Sequence, residues 1–124
     1  MSTLPQISDT EWQIMKVLWT KAPQTANEVI QKFDGVTTWK PNTIKTLLGR
    51  LVKKKALAFN KEGRAYVYYP LVAESECVKA ESRSFLEKVF CGSLNVMFAN
   101  FLEEQDLSRD EIAALKNILD RKEK

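Results

Sequence analysis

Polar and basic side chains recur on one side of a single predicted helix, the segment from Pro41 to Lys53. Its apolar residues recur at helical spacing, so they form an inward stripe and leave the remaining positions facing outward. The inward stripe consists of Ile44, Leu47, Leu48, Leu51 and Val52. The outward positions are Asn42, Lys45, Thr46, Gly49 and Lys53, flanked by Thr43 and Arg50. Amide groups pair with adenine, and cationic groups bind guanine acceptors or phosphates. The six polar and basic side chains of this face, Lys53 among them, therefore predict contact with a nucleic acid.

Gly49 lies in the interior of that predicted helix, where glycine costs about 1 kcal/mol relative to alanine. A close neighbour would explain a glycine at this position. The neighbour is either another backbone, which is the commoner explanation, or the floor of a DNA groove.

Basic charge is concentrated in the first 72 residues, although the whole chain has a net charge of only +3. Residues 1–72 contain 11 basic and 5 acidic side chains, whereas residues 73–124 contain 8 basic and 11 acidic ones. Such asymmetry suggests a half that binds a polyanion, joined to a half with another role. A solvated basic face has the same composition, so a domain that binds an acidic protein partner remains an alternative.

The residue types exclude most catalytic chemistry. Because the chain contains no histidine, triads with an imidazole base and most catalytic zinc sites are excluded. The two cysteines, Cys77 and Cys91, cannot form a four-thiolate metal site. We interpret them as small buried hydrophobic residues on one helix, unless one meets its counterpart across a dimer. The acidic residues before Val72 do not cluster at metal-binding spacing, which disfavours a nuclease. We therefore expect no enzyme, no cofactor and no metal.

Membrane insertion and secretion are also disfavoured. The longest apolar run has five residues, Ala65–Tyr69, and Asp9, Glu11 and Lys16 interrupt the first twenty residues. A membrane span needs about 20 apolar residues, and a signal peptide needs an apolar core. We expect a cytoplasmic protein with reduced thiols and no membrane insertion.

Three helix starts are marked by a serine or threonine followed three residues later by glutamate, the capping-box pattern. The three pairs are Ser8 with Glu11, Thr25 with Glu28, and Ser108 with Glu111. Pro23 should end the first helix, and Gly35 should cap the C-terminal end of the second. The β-branched and aromatic run Val36–Trp39 could form one brief strand before Pro41 begins the third helix.

A hairpin should follow the third helix. Leu57–Asn60 and Ala65–Tyr69 are typical of strands, and the segment 61–64 between them contains a glycine suited to a positive φ. Lys61 and Arg64 flank the exposed tip of this hairpin. Three helices followed by such a hairpin predict a winged helix-turn-helix domain over residues 1–72, in which the third helix enters the major groove. The wing then lies against the phosphate backbone or the minor groove.

The remaining residues, 73–124, predict three helices over about 74–91, 93–104 and 108–122. A helical bundle of this size rarely buries enough apolar surface to be stable alone, so we expect a dimerisation domain. Apolar residues at helical spacing form the expected dimer interface. They are Phe85, Val89, Leu94, Met97, Phe98, Phe101, Leu102, Ile112, Leu115 and Leu119. The predicted fold class is therefore mainly α with a small β wing.

Three segments resemble the penicillinase-repressor family of the BlaI/MecI type: Glu11–Trp19, Trp39–Leu51 and Tyr66–Pro70. The resemblance covers essentially the whole chain. It implies a cytoplasmic, homodimeric bacterial repressor that binds palindromic operators in double-stranded DNA, upstream of β-lactamase or related resistance genes. By the same resemblance, the operator contacts come from the third helix and the wing. The implied contact residues are Asn42, Thr43, Lys45, Thr46, Arg50, Lys61 and Arg64.

The resemblance also implies how repression ends. In the family, a membrane-bound antibiotic sensor triggers proteolysis of the repressor at an Asn-Phe bond in its dimerisation domain. This sequence has Asn100 followed by Phe101 at the corresponding place. A surface asparagine beside a core phenylalanine is the alternative interpretation. Copper-responsive relatives carry paired Cys-x-Cys motifs, which this chain lacks. Regulation of unrelated genes by another inducer also remains open.

Overall fold

The computed structural model describes residues 4–123, and this part of the chain contains six helices and three strands. The helices are α1 (Asp9–Thr20), α2 (Ala26–Phe33), α3 (Pro41–Lys53), α4 (Glu74–Phe90), α5 (Leu94–Glu104) and α6 (Arg109–Lys122). The strands are β1 (Gln24–Thr25), β2 (Leu57–Glu62) and β3 (Ala65–Pro70). This confirms the predicted fold class, mainly α with a small β wing.

All three predicted capping boxes are present. The Glu11 N–H donates to Ser8 Oγ at 3.2 Å, while the Ser8 N–H donates to the Glu11 carboxylate at 2.9 Å. Thr25 and Ser108 cap α2 and α6 by the same reciprocal pattern. Ser93, which the sequence analysis did not identify as a cap, accepts from the Val96 N–H at the start of α5. Four of the helix starts are therefore stabilised by local side chains.

The three strands form one antiparallel sheet in the order β1-β3-β2. The predicted strand Val36–Trp39 is wrong, and the short strand of the sheet is Gln24–Thr25 instead. After α2, the N–H groups of Val36 and Thr37 both donate to the Phe33 carbonyl, so this backbone forms a turn. Val36 is 75% exposed there. The Trp39 ring packs on Phe33, with 5.3 Å between ring centroids.

The hairpin is longer than its sequence pattern indicates. β2 and β3 pair as far as Glu62 opposite Ala65, so the turn contains Gly63 and Arg64 and not the four predicted residues. Gly63 has φ of +63°, which side-chain-bearing residues adopt at a cost. Lys61 therefore belongs to β2, where it lies opposite Tyr66.

The helices α1, α2 and α3 and the base of the hairpin enclose one apolar core. Its buried members are Ile14, Met15, Leu18, Val29, Phe33, Ile44, Leu47, Leu48, Leu51, Ala56 and Leu57. The buried Gln24 side chain donates to the Lys21 carbonyl at 2.6 Å, near the C-terminal end of α1. The Trp12 and Trp19 rings meet edge to face, with centroids 5.5 Å apart. Trp19 also donates its indole N–H to the Val72 carbonyl at 2.9 Å.

The structure divides into two compact units, the first ending at Lys79 and the second beginning at Ala80. The division falls inside α4, seven residues beyond the boundary predicted after Val72. The helices at 74–90, 94–104 and 109–122 agree with the three predicted ones to within a few residues. In the second unit, none of the described residues is buried.

The two cysteines differ in their surroundings. Cys77 is buried in the first unit, as predicted, and burial raises the pKa of its thiol. The prediction for Cys91 is wrong, because α4 ends at Phe90 and Cys91 is exposed with φ of +50°. The positive φ ends the helix there, so the two thiols do not share one helix.

No single helix among the described residues is long and apolar enough to cross a membrane, although α4 and α5 pass that test as a bent pair. Residues 4–123 also contain no cluster of three or more histidine, cysteine or acidic side chains arranged to hold a metal ion.

Candidate nucleic-acid interface

One side of α3 is anchored in the core and the other is open to solvent. Ile44, Leu48 and Leu51 are at most 1% exposed, and they fix the rotation of the helix about its axis. All six predicted contact residues of α3 lie on exposed positions. They are Asn42, Thr43, Lys45, Thr46, Arg50 and Lys53. Since the helix spans 13 residues, these side chains form one polar face about 20 Å long at 1.5 Å per residue.

The electrostatics of α3 favour an anionic partner. The helix contains no acidic residue, and Arg50 and Lys53 lie in its last turn. These cations are stabilised by the negative end of the helix dipole, which accounts for part of their placement. At the other end, Lys40 occupies the N-cap position without a side-chain cap, and Pro41 begins the helix. Positive charge therefore lies at both ends of the exposed face.

The Thr46 side chain forms a hydrogen bond within α3. Its hydroxyl donates to the Asn42 carbonyl one turn earlier, at 2.9 Å. The hydroxyl proton is therefore used locally, while the oxygen lone pairs and the methyl group stay available to a ligand. Such a side chain can accept a hydrogen bond or contact a thymine methyl group.

Gly49 lies on the same exposed face. A Cβ atom added to it would meet nothing within 4 Å among the described residues. A neighbouring backbone within the described chain is therefore excluded as the reason for this glycine. The second explanation from the sequence, close approach of a DNA groove, stays a prediction.

The predicted wing residues are also exposed, but they lie on the hairpin and not on the helix. Lys61 is in β2, and Arg64 is in the two-residue turn after Gly63. Neither of them forms an ion pair within the part of the chain that the structure describes. The hairpin thus carries two further exposed cations, and its first strand, β2, packs against α3.

Lys54 has a different role from its neighbour Lys53. Its ammonium group donates to the Gln6 carbonyl at 2.8 Å and to the Glu11 carboxylate at 2.5 Å. Glu11 is only 1% exposed. Burial raises the pKa of its carboxyl, but hydrogen bonds from Lys54 and Ser8 outweigh that effect and hold the pKa below its usual value. The pair ties the start of α1 to the end of α3.

This buried pair is not among the predicted contacts, although the sequence contains a signal for it. Glu11 precedes Ile14 and Met15 by three and four residues, so it lies on the inward stripe of α1. A carboxylate on such a stripe requires a cationic partner. The capping-box pattern explains the bond between Glu11 and Ser8 but not the burial of Glu11.

The predicted cleavage residues lie in the second unit, inside α5. Asn100 is exposed, and Phe101 is 45% exposed. The Phe101 ring meets Phe90 with 6.1 Å between centroids, and Phe90 meets Phe85 at 5.9 Å. The peptide bond between Asn100 and Phe101 is thus part of a regular helix.

The predicted dimer residues are exposed or half-buried in the single chain. Those exposed by 39% or more are Phe85, Val89, Leu94, Phe98, Phe101, Leu102, Ile112 and Leu119. Met97 and Leu115 are half-buried. A groove of about 560 Å³ runs between α4 and α5, and its lining includes Phe85, Leu94, Met97 and Phe101.

Comparison with known proteins gives one consistent result. Residues 7–121 match the family described as Penicillinase repressor. A penicillinase repressor of Bacillus licheniformis is 47% identical over 120 residues, covering 97% of this chain and 94% of that protein. The methicillin resistance regulatory protein MecI of Staphylococcus aureus is 40% identical over 117 residues, covering 94% of this chain and 95% of that protein.

A solved structure matches as well. The solution structure of the Bacillus licheniformis BlaI monomeric form in complex with the blaP half-operator is 49% identical, with a TM-score of 0.54. The match covers 61% of this chain and 93% of that one. This likeness confirms the predicted winged helix-turn-helix.

Proposed function

The chain belongs to the penicillinase repressor family, and on that basis we propose that it is a homodimeric repressor of transcription that binds a palindromic operator in double-stranded DNA. The proposed target genes are β-lactamase or related antibiotic-resistance genes, as the names of the relatives suggest. The family consists of DNA-binding repressors, which are not enzymes. We propose a cytoplasmic location as well, because the proposed partner is DNA.

The exposed face of α3 is the observation that carries this proposal. It joins an amide, two hydroxyl groups and three cations on a helix without acidic residues. In a helix-turn-helix protein such a face enters the major groove, where it meets base edges and the phosphates on either side. An acidic protein partner would not require the amide and hydroxyl groups in this arrangement.

Each side chain has a proposed role that follows from its position. Asn42, Thr43, Lys45 and Thr46 lie in the first half of α3 and contact base edges, because the N-terminal half of a recognition helix points into the groove. Cations farther from the groove bind phosphates, which position the protein without specifying sequence. These cations are Arg50, Lys53, Lys61 and Arg64.

A gel-shift assay with the Lys45→Ala, Thr46→Ala double variant tests the recognition helix. We expect loss of specific operator retention, since each good base contact contributes about 1–3 kcal/mol of discrimination. Lys116→Ala in α6 removes the same charge far from α3 in sequence and serves as the matched control. Unchanged retention by the double variant would show that α3 is not the recognition helix.

The second unit supports the proposed dimer. Its apolar side chains are exposed in the single chain, and a patch of this extent on a soluble protein indicates an interaction site. A second copy of the same chain supplies a matching apolar face by symmetry. Joining two winged helices raises operator affinity by about 10² to 10⁴, because the second half-site is bound at high effective concentration.

We further propose that repression ends when a sensor-linked protease cuts between Asn100 and Phe101. The cut would separate Phe101 and α6 from the rest of the chain and remove part of the apolar face. Because the bond lies inside α5, the helix must open locally before a protease can bind it. The exposure of Asn100 and the absence of buried residues in the described second unit support such opening.

Mass spectrometry of the repressor from antibiotic-treated cells that carry the sensor tests this step. We expect a fragment that ends at Asn100, and we expect Asn100→Ala to slow its formation. Asn95→Ala, at another exposed asparagine of α5, is the matched control. A fragment that ends elsewhere, or equal cleavage of the two variants, would contradict the proposed site.

A further inference from the structure

The wing exposes two aromatic rings on the same face as its strand lysine. Side chains alternate between the two faces of a strand, and directly paired residues share a face. The register pairs Phe59 with Tyr68 and Lys61 with Tyr66. We call the outer part of this face, formed by Phe59, Lys61 and Tyr66, the aromatic wing face.

The inner part of the same face is anchored in the protein, whereas the outer part is not. Leu57 is 1% exposed, and Tyr68 packs against the core. Phe59 and Tyr66 are 46% and 48% exposed. Their rings meet edge to face with centroids 5.0 Å apart, and Phe59 also meets Tyr68 at 5.9 Å. The exposed rings thus form a pre-ordered apolar surface, which has no evident role in the core.

Charge on the wing is divided between its two faces. Lys61 lies on the aromatic wing face, and Arg64 is in the adjoining turn. Glu62 is one residue further along β2, so it lies on the opposite face together with Ala65. The aromatic wing face is therefore cationic and apolar, and the single acidic residue of the hairpin points away from it.

The aromatic wing face belongs to the hairpin that directly follows α3 along the chain. Only the short segment 54–56 separates α3 from β2, and the two elements pack against each other. The inner residues on this side of the hairpin, Leu57 and Tyr68, pack in the same core as the buried side of α3. Both elements are thus fixed to one core, and a long anion bound at α3 can also reach the hairpin.

We propose that the aromatic wing face binds the DNA backbone beside the groove that α3 reads, with Phe59 and Tyr66 against deoxyribose rings and Lys61 at a neighbouring phosphate. This inference rests on the proposed repressor function and assigns the wing an apolar contact. A nucleic-acid backbone alternates apolar sugar surfaces with anionic phosphates. On the wing, two apolar rings lie beside a cation, so the rings can contact sugars while Lys61 binds a phosphate.

Binding measurements on Phe59→Ala and Tyr66→Ala test this assignment. In the proposed complex, DNA covers the exposed half of each ring. Removing one ring should therefore weaken the affinity for DNA about tenfold. The loss should be equal on operator and random duplex, because every sequence carries the same sugars. The dependence of this affinity on salt should stay unchanged, since no counterion is released by an apolar contact.

Lys61→Ala should instead reduce the salt slope of the binding constant by about 1. Leu71→Ala, an exposed apolar position just after β3, is the matched control.

A second measurement covers the case in which a ring substitution disturbs the wing. In the wild-type complex, nuclear Overhauser effects should connect the ring protons of Phe59 and Tyr66 to deoxyribose protons. Absence of these effects, or unchanged affinity of both ring variants, would overturn the aromatic contact. A loss restricted to operator DNA would indicate base contacts and would overturn the sugar assignment. A wild-type chain that retained no duplex would overturn the repressor function as well, which separates the two failures.

Discussion

Gly49 is a residue of α3 whose type is not explained by its surroundings in the described chain. It lies in the middle of α3 on the exposed face, where alanine would be the better helix former. Its φ is helical, and no described atom crowds the position of a Cβ. The described residues thus give no reason for glycine at this position, and close approach of a DNA groove stays the proposed reason.

We predict that Gly49→Ala raises the free energy of unfolding by about 1 kcal/mol and weakens operator binding. The first effect follows from helix propensity, and the second follows from a methyl group directed into the groove. Urea denaturation and a gel-shift assay measure them. Gly35→Ala, at a φ of +75°, should instead destabilise the fold. Unaltered operator affinity of Gly49→Ala would remove the groove explanation.

Glu11 makes the stability of the winged helix sensitive to acid. Its pKa is lowered in the folded chain, because the hydrogen bonds from Lys54 and Ser8 outweigh burial. The stabilisation is therefore complete above the ordinary pKa of about 4.5 and is lost as the pH falls through the lower folded value. We predict that wild type is more stable than Glu11→Gln at pH 7.

Thermal unfolding across the acid range checks this prediction. The difference in Tm between wild type and Glu11→Gln should shrink as the pH drops below about 4.5. Glu62→Gln, on the exposed wing, should change the Tm little at neutral pH. A difference between wild type and Glu11→Gln that stayed constant with pH would show that the carboxylate charge does not matter.

The helices follow closely from local sequence, and the short strands do not. Capping boxes and apolar spacing predict the helix starts because both depend on residues three or four apart. The strand Gln24–Thr25 exists because β3 supplies its partner from more than forty residues away. Local propensity favoured Val36–Trp39, where the backbone is already engaged in a turn. Helical spacing predicts the exposed face of α3. It does not predict the ion pair of Glu11 and Lys54, because only tertiary packing brings these two residues together.

At the end of α3, Lys55 adopts a φ of +67°, which favours glycine over a residue with a side chain. We predict that Lys55→Gly raises the free energy of unfolding by about 1 kcal/mol by relieving this conformation. Urea denaturation measures the change. Lys53→Gly, inside the helix, should lower stability by a similar amount. If Lys55→Gly also destabilised the protein, its side chain would have a structural role.

On the scale of the whole molecule, the two units bury their apolar residues to different extents. The first unit encloses a complete core, while the described part of the second leaves its phenylalanines and leucines exposed or half-buried. We therefore propose that the second unit, unlike the first, gains much of its stability from association with a second copy. The aromatic contacts from Phe85 through Phe90 to Phe101 pre-order the surface that a second copy would cover.

We predict that Phe101→Glu shifts the protein from dimer to monomer in sedimentation analysis, because a charge in an apolar interface is strongly unfavourable. Asn100→Glu places the same charge one residue away, at an exposed position outside the apolar stripe, and should leave the dimer intact. Circular dichroism of both variants checks that the helices persist. A dimer of unaltered strength in Phe101→Glu would place the interface elsewhere.

The indole rings of Trp12 and Trp19, which pack edge to face, belong to the first unit. All three tryptophans and all three tyrosines precede Lys79, whereas the aromatic residues after Ala80 are phenylalanines only. Indole fluorescence therefore reports on the winged helix alone, while far-ultraviolet dichroism sums the helices of both units. The difference between the normalised fluorescence and dichroism melting curves therefore reports the unfolding of the second unit without any label.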